Sequence, residues 1–127
     1  MRAAGRAPLL LIVDDEQQIL SALRRSLRRE GFEIIAVDST REALRTLEEH
    51  PVDIILSDHK MPGMTGLQFL ACTAKRWPDT LRLLITGWTA SIPEEEIRAL
   101  GIRAVIPKPW DDTALKEILR KAIKDLG

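Results

Sequence analysis

The sequence predicts an α/β domain built on a five-stranded parallel sheet. Three observations carry this: five short apolar runs rich in Val, Ile and Leu, helical periodicity in every gap between them, and strict alternation of the two patterns. The runs cover residues 9–13, 32–37, 52–57, 81–86 and 102–106, each the length of a strand covered on both faces. Crossovers of helical length imply right-handed βαβ connections, with helices on both faces of the sheet.

Residues 1–8 are small, basic and proline-ended, and read as a mobile leader; the domain is expected over residues 9–127. After the first run, Ile19, Leu23, Ser26 and Leu27 line one face of a helix stopped by Gly31. Ser39 with Glu42 is a capping-box signature opening a second helix. Ala43, Leu44 and Leu47 form its buried stripe, and His50-Pro51 ends it. Thr65 with Gln68 repeats the box for a third helix, which turns Leu67, Leu70, Ala71 and Ala74 inward and closes near Trp77-Pro78. Ser91 with Glu94 opens a short fourth helix to about Leu100, with Pro93 in its first turn and glutamates at its positive end. The fifth, from Asp111, places Leu115, Ile118, Leu119, Ala122, Ile123 and Leu126 on one face.

Composition narrows the function. The 127 residues carry 19 Lys+Arg against 19 Asp+Glu, so no global field draws the chain onto nucleic acid or an acidic membrane. No apolar run approaches the roughly 18 residues of a membrane span, and a cytoplasmic location is expected. The single Cys72 has no partner thiol, in keeping with a reducing compartment, and reads as a small buried hydrophobe. His50 and His59 lack a second histidine at ligand spacing, which argues against a transition-metal site.

In open parallel sheets the ligand crevice lies beyond the carboxyl ends of the strands. Here those ends read Asp14-Asp15, Ser57-Asp58, Thr86-Gly87 and Pro107-Lys108-Pro109. Three carboxylates, a hydroxyl and an ammonium on one rim suit Mg²⁺ and phosphoryl chemistry. Each also has a plainer reading. Asp14 or Asp15, with glutamines three residues on, could cap the first helix, Asp58 could form a turn, Thr86 could simply end a strand, and Lys108 could be solvated. Two carboxylates about 4 Å apart repel by roughly 4 kcal/mol at an effective dielectric of 20, so raised pKa values are expected in the acid group.

These residues resemble the receiver domain of two-component response regulators: Asp14-Asp15, Asp58 followed by Met61-Pro62 and Gly66, Thr86-Gly87 and Lys108-Pro109 match its pattern in order across nearly the whole chain. The resemblance implies a flavodoxin-like (βα)5 fold with strand order 2-1-3-4-5, the order of a chemotaxis member of the family. It implies that Asp58 accepts the phosphoryl group and that Asp15, Asp58 and the main-chain oxygen of Lys60 hold Mg²⁺, with Asp14 acting through water. Thr86 would bind a phosphoryl oxygen, and Lys108, before a cis Pro109, would pair with the phosphoryl group. The implied partners are a sensor histidine kinase or phosphotransfer protein, an attached output domain outside this chain, and a second copy through the fourth helix, fifth strand and fifth helix. The domain would be a signalling phosphoacceptor with self-catalysed phosphoryl transfer and autodephosphorylation, not a conventional enzyme. Residues 84–88 and 108–110 look like receivers of HD-GYP phosphodiesterases or histidine kinases.

One departure is Val105, where many receivers carry a Tyr or Phe that moves with the threonine; Trp88 and Trp110 are the aromatic alternatives beside the site. Lys60 could meet the phosphoryl group or point into solvent. Arg24, Arg25, Arg28 and Arg29 form a basic patch on the first helix, expected near the active rim as part of a kinase-docking face or as a solvated surface. Two other functions compete: a phosphate-independent interaction module, supported by Val105, and a Mg²⁺-dependent phosphatase, opposed by His59-Lys60 where such enzymes carry Asp-x-Asp.

Overall fold

A computed structural model describes residues 6–87 and 92–126. Its elements alternate as expected: β1 (Leu9–Val13), α1 (Gln17–Leu27), β2 (Glu33–Val37), α2 (Thr40–Glu49), β3 (Ile54–Asp58), α3 (Gly66–Arg76), β4 (Leu81–Thr86), α4 (Glu94–Ala99), β5 (Ile102–Pro107) and α5 (Asp112–Lys124). The strands form one parallel sheet ordered β2-β1-β3-β4-β5. No described helix is long and apolar enough to cross a membrane.

Alternating side chains divide the core into two layers. Leu10, Ile12, Ile54, Leu56, Leu83, Ile85 and Ile106 pack against Leu20, Leu23 and Leu27 of α1 and Leu115, Leu119 and Ala122 of α5. Leu9, Leu11, Val13, Ile55, Leu84 and Ile102 face Ala43 and Leu47 of α2, Phe69 and Leu70 of α3, and Ile92. β1 and β3, in the middle of the sheet, are buried along their whole length; β4 is buried except at Leu81 and Arg82, and most of edge strand β2 is half-buried.

Local sequence explains most helix starts. Thr65 and Gln68 form a complete capping box, Ser39 Oγ accepts from Glu42 N, and Asp111 accepts from Ala114 N. Neither Asp14 nor Asp15 caps α1: the N-cap is Glu16, without a side-chain bond, and Asp14 Oδ1 instead accepts from Glu16 N at 2.9 Å. Pro93 precedes α4 as its N-cap rather than lying in the first turn, and Ser91 lies outside the described residues. The inward stripe of α3 differs in phase from the expected one, with Phe69, Leu70 and Thr73 deepest. Its first turn is pressed so closely on β3 that a Cβ at Gly66 would lie 2.2 Å from the Asp58 carbonyl oxygen. Cys72 is only half-buried. Of the expected leader, Arg6 reaches Pro51 O and Asp53 Oδ1, both at 3.4 Å, and Pro8 O accepts from Glu33 N.

Two tethers hold the helices at defined positions. Arg82 of β4 donates from Nε to Leu100 O at 2.8 Å and from Nη1 to Thr80 O at 3.0 Å. It thereby closes the C-terminal end of α4, a helix with no fully buried residue of its own. Asp112 of α5 accepts from Ser26 Oγ of α1 at 2.8 Å and from Trp110 Nε1 at 2.9 Å.

Arg82→Met should destabilise the domain by about 1–3 kcal/mol in urea unfolding, since the half-buried carbonyls lose a charged donor. Faster amide exchange should concentrate at Leu100 and Gly101. The Ser26 hydroxyl, then the Trp110 indole, hold the Asp112 carboxyl below its usual range. A depressed acid stabilises above its unfolded value near 3.9, and that stabilisation is lost as pH falls through the folded value. Asp112→Asn should therefore melt below the parent at pH 7, and thermal melts should show the gap closing below about pH 4.

Candidate functional site: a lysine between two buried carboxylates

Strand register builds the site. Val13 pairs with Ser57, so Asp14 and Asp58 follow as neighbours on the same face of adjacent central strands. Lys108 comes from the far edge, after β5, with its N–H donated to Thr86 O at 3.0 Å. Its Nζ stands 2.8 Å from Asp14 Oδ2 and 3.0 Å from Asp58 Oδ1. The Asp14 side chain is 0% and that of Asp58 6% exposed, which makes this a shielded pair of carboxylates sharing one ammonium.

A bulge in β5 lets Lys108 reach them. Arg82 pairs with Ile102 but Leu83 pairs with Ala104, leaving Arg103 as an extra residue in β5. Alternation resumes one step out of phase: Ile102 faces the α2/α3 layer, whereas Ala104 and Ile106 face the α1/α5 layer. Lys108 falls in phase with Ile106, on the face that also carries Asp14 and Asp58. Arg103 turns outward and pairs with Asp125.

The pair is electrostatically uneven. Burial pushes the Asp58 carboxyl up from its ordinary value, the Asp14 charge adds to this, and Lys108 with the His59 N–H only partly offset them. Lys108 is pushed up instead, because two carboxylates outweigh its own burial. The difference is one of partners: the ammonium has two counter-charges, and Asp58 has half of one. The expectation of a raised pKa in the acid group thus holds at Asp58.

Above the pair opens a cleft of about 340 Å³ lined by Asp15, Glu16, Asp58, Lys60, Thr86, Gly87 and Lys108. Asp15 is exposed, Thr86 is buried, and Lys60 is exposed at the cleft edge. The carboxylates of Asp14, Asp15 and Glu16 can bring oxygens within 4.8 Å of one another. Glu16 was not singled out in the sequence, although it directly follows the acid pair and has no apolar role. The donors are all oxygens and anionic, which fits a hard divalent cation.

Two other expectations change. α1 starts at the rim and runs away from it, so Arg28 and Arg29, beyond its last turn, lie toward the opposite end of the sheet and not at the active rim. Trp110 packs with the α1/α5 layer, whereas Val105 packs with the α2/α3 layer, so this indole does not stand in for an aromatic at Val105. Trp88 lies outside the described residues. The Lys108–Pro109 peptide is cis, as expected.

The family model of the response regulator receiver domain matches residues 10–120. The chain belongs to this family. Sequence relatives of this receiver include the hydrogenase transcriptional regulatory protein HoxA of Cupriavidus necator, 41% identical over 93% of the chain, and HoxA of Bradyrhizobium diazoefficiens, 39% identical over 91%. The receiver spans 24% of the length of each. Among solved structures, the signal receiver domain of an HD domain-containing protein from Pseudomonas fluorescens Pf-5 superimposes with a TM-score of 0.87 at 30% identity, covering 95% of this chain and 98% of that one. The chemotaxis response regulator CheY4 of Vibrio cholerae gives 0.83 at 28% identity, over 92% and 99%. The likeness to an HD-protein receiver and the strand order 2-1-3-4-5 agree with the expectations from sequence.

Lys108→Met should cost about 3 kcal/mol in urea unfolding at pH 7, because it leaves two buried carboxylates without a counter-ion. The loss should shrink as pH is lowered toward 4: Asp58, raised further in the variant, takes up a proton in the folded state before the unfolded chain does. A variant as stable as the parent at pH 7 would show that the ammonium does not balance the pair.

Proposed function

We propose that this receiver takes a phosphoryl group onto Asp58 from the phosphohistidine of a sensor histidine kinase or phosphotransfer protein, and changes its partner contacts as a result. The observation that carries the reading is the Lys108 ammonium held between Asp14 and Asp58 at the base of an open cleft. An Asp58 carboxylate oxygen attacks phosphorus, the P–N bond breaks, and the donor imidazole leaves with a proton in place of the phosphoryl group. Lys108 then turns from a carboxylate partner to a donor for a phosphoryl oxygen, and Thr86 supplies a hydroxyl from the neighbouring strand end. Attack of water on the acyl phosphate releases inorganic phosphate and restores the Asp58 carboxylate, which is the autodephosphorylation.

Asp15, Asp58 and the main-chain oxygen of Lys60 would hold Mg²⁺, with Asp14 acting through water. When bound, the ion neutralises charge on the acids and the transferring oxygens. The same reading makes the chain a cytoplasmic signalling module rather than a conventional enzyme. The α4, β5 and α5 surface is its contact with a second copy, and its partners include an attached output domain.

Acetyl phosphate with Mg²⁺ should add one phosphoryl group, mapped to Asp58 by peptide mass spectrometry, and Asp58→Asn should abolish the addition. An unlabelled parent under saturating donor and metal would contradict the reading, as would labelling that persists in the variant.

A further inference from the structure

Ser57 is fully buried, yet it is polar and lines no part of the cleft. It sits one residue before Asp58, on the opposite sheet face, in phase with Ile55 of the α2/α3 layer. Its Oγ donates to the Asp58 carbonyl oxygen at 2.9 Å. The first turn of α3 presses on the same carbonyl, at the position where only glycine fits at 66, and Gly66 N donates to His59 O at 2.7 Å. That carbonyl belongs to the peptide unit joining Asp58 to His59. The N–H of the same unit, from His59, lies on the carboxylate's side and helps hold the Asp58 carboxyl down against its burial.

One rigid amide plane therefore connects a buried hydroxyl on one face of the sheet to the carboxylate on the other. Rotation of that plane would swing its N–H away from the carboxylate. We infer that Ser57 is a positioning residue for phosphoryl transfer: by holding the Asp58 carbonyl it fixes the 58–59 peptide plane, and so the aim of the Asp58 carboxylate at the cleft. The inference rests on the reading of Asp58 as phosphoacceptor. Ser57 touches no substrate and acts only through this amide. Without the hydroxyl the carbonyl loses that donor, the plane is held less firmly, and the attacking oxygen spends less time in line with phosphorus.

The test uses parent, Ser57→Ala and Ser57→Thr, with thermal melts as a check on folding. Two quantities are read: the His59 amide resonance in metal-free, donor-free protein, and the initial rate of Asp58 labelling by acetyl phosphate with Mg²⁺. Ser57→Ala should shift the His59 amide and slow labelling about tenfold, and Ser57→Thr, which keeps the hydroxyl, should restore both. If Ser57→Ala lowers only the melting temperature, with the amide in place and labelling at the parent rate, Ser57 is merely structural and the inference falls. It falls equally if Ser57→Thr behaves like Ser57→Ala. Should the parent itself remain unlabelled on Asp58, the phosphoacceptor reading fails instead, and the amide resonance alone decides whether Ser57 orients the carboxylate.

Discussion

The Lys108 ammonium between Asp14 and Asp58 is the interaction on which the rest of the structure depends. Two carboxylates on adjacent central strands, shielded from water, repel strongly in a medium of reduced dielectric, and removing both from solvent adds a further cost. A single cation from the far edge of the sheet offsets this only in part. Asp58 is left with its carboxyl pushed up, and Lys108 is left strongly ionised. The site is thus built with more negative charge than its own residues neutralise, which suits the divalent cation proposed for it.

The architecture delivers that arrangement through phase. Strand pairing places Asp14 and Asp58 side by side, and the extra residue Arg103 shifts β5 by one so that Lys108 reaches the same face. The helices fix the frame around it. α3 sits close enough on β3 to confine the Asp58 carbonyl, α5 is tied to α1 through Asp112, and α4 is held at its C-terminal end by Arg82. With no fully buried residue, α4 rests on the α2/α3 layer through the half-buried Ile97 and through Leu100 just beyond its end.

Much of this was legible in the residues themselves. Strand-end acids, the hydroxyl and the lysine stand out because they follow directly on apolar runs, and the Thr65/Gln68 box marks a helix start by chemistry local to four residues. What escaped depends on relations between segments. The β5 bulge is invisible in an apolar run that faces both layers, so the route by which Lys108 meets Asp14 could not be read. The α3 stripe lies out of the expected phase because Gly66 sets that helix against β3, bringing Phe69 and Thr73 inward. The direction of α1 carries its arginines away from the rim, and the layer into which Trp110 packs, across the sheet from Val105, is set by the fold and not by chain position. Ser57 reads as one more strand residue until its hydroxyl is seen on the Asp58 carbonyl.

The central claim is that Lys108 only partly balances the buried acids, leaving Asp58 short of counter-charge. A carbon-13 titration of the aspartate side-chain carboxyls in metal-free protein, with Asp58 assigned by substitution, measures this directly. The account predicts an Asp58 midpoint above the ordinary aspartate value near 3.9. A midpoint at or below that value would contradict it, because the ammonium would then satisfy Asp58 in full.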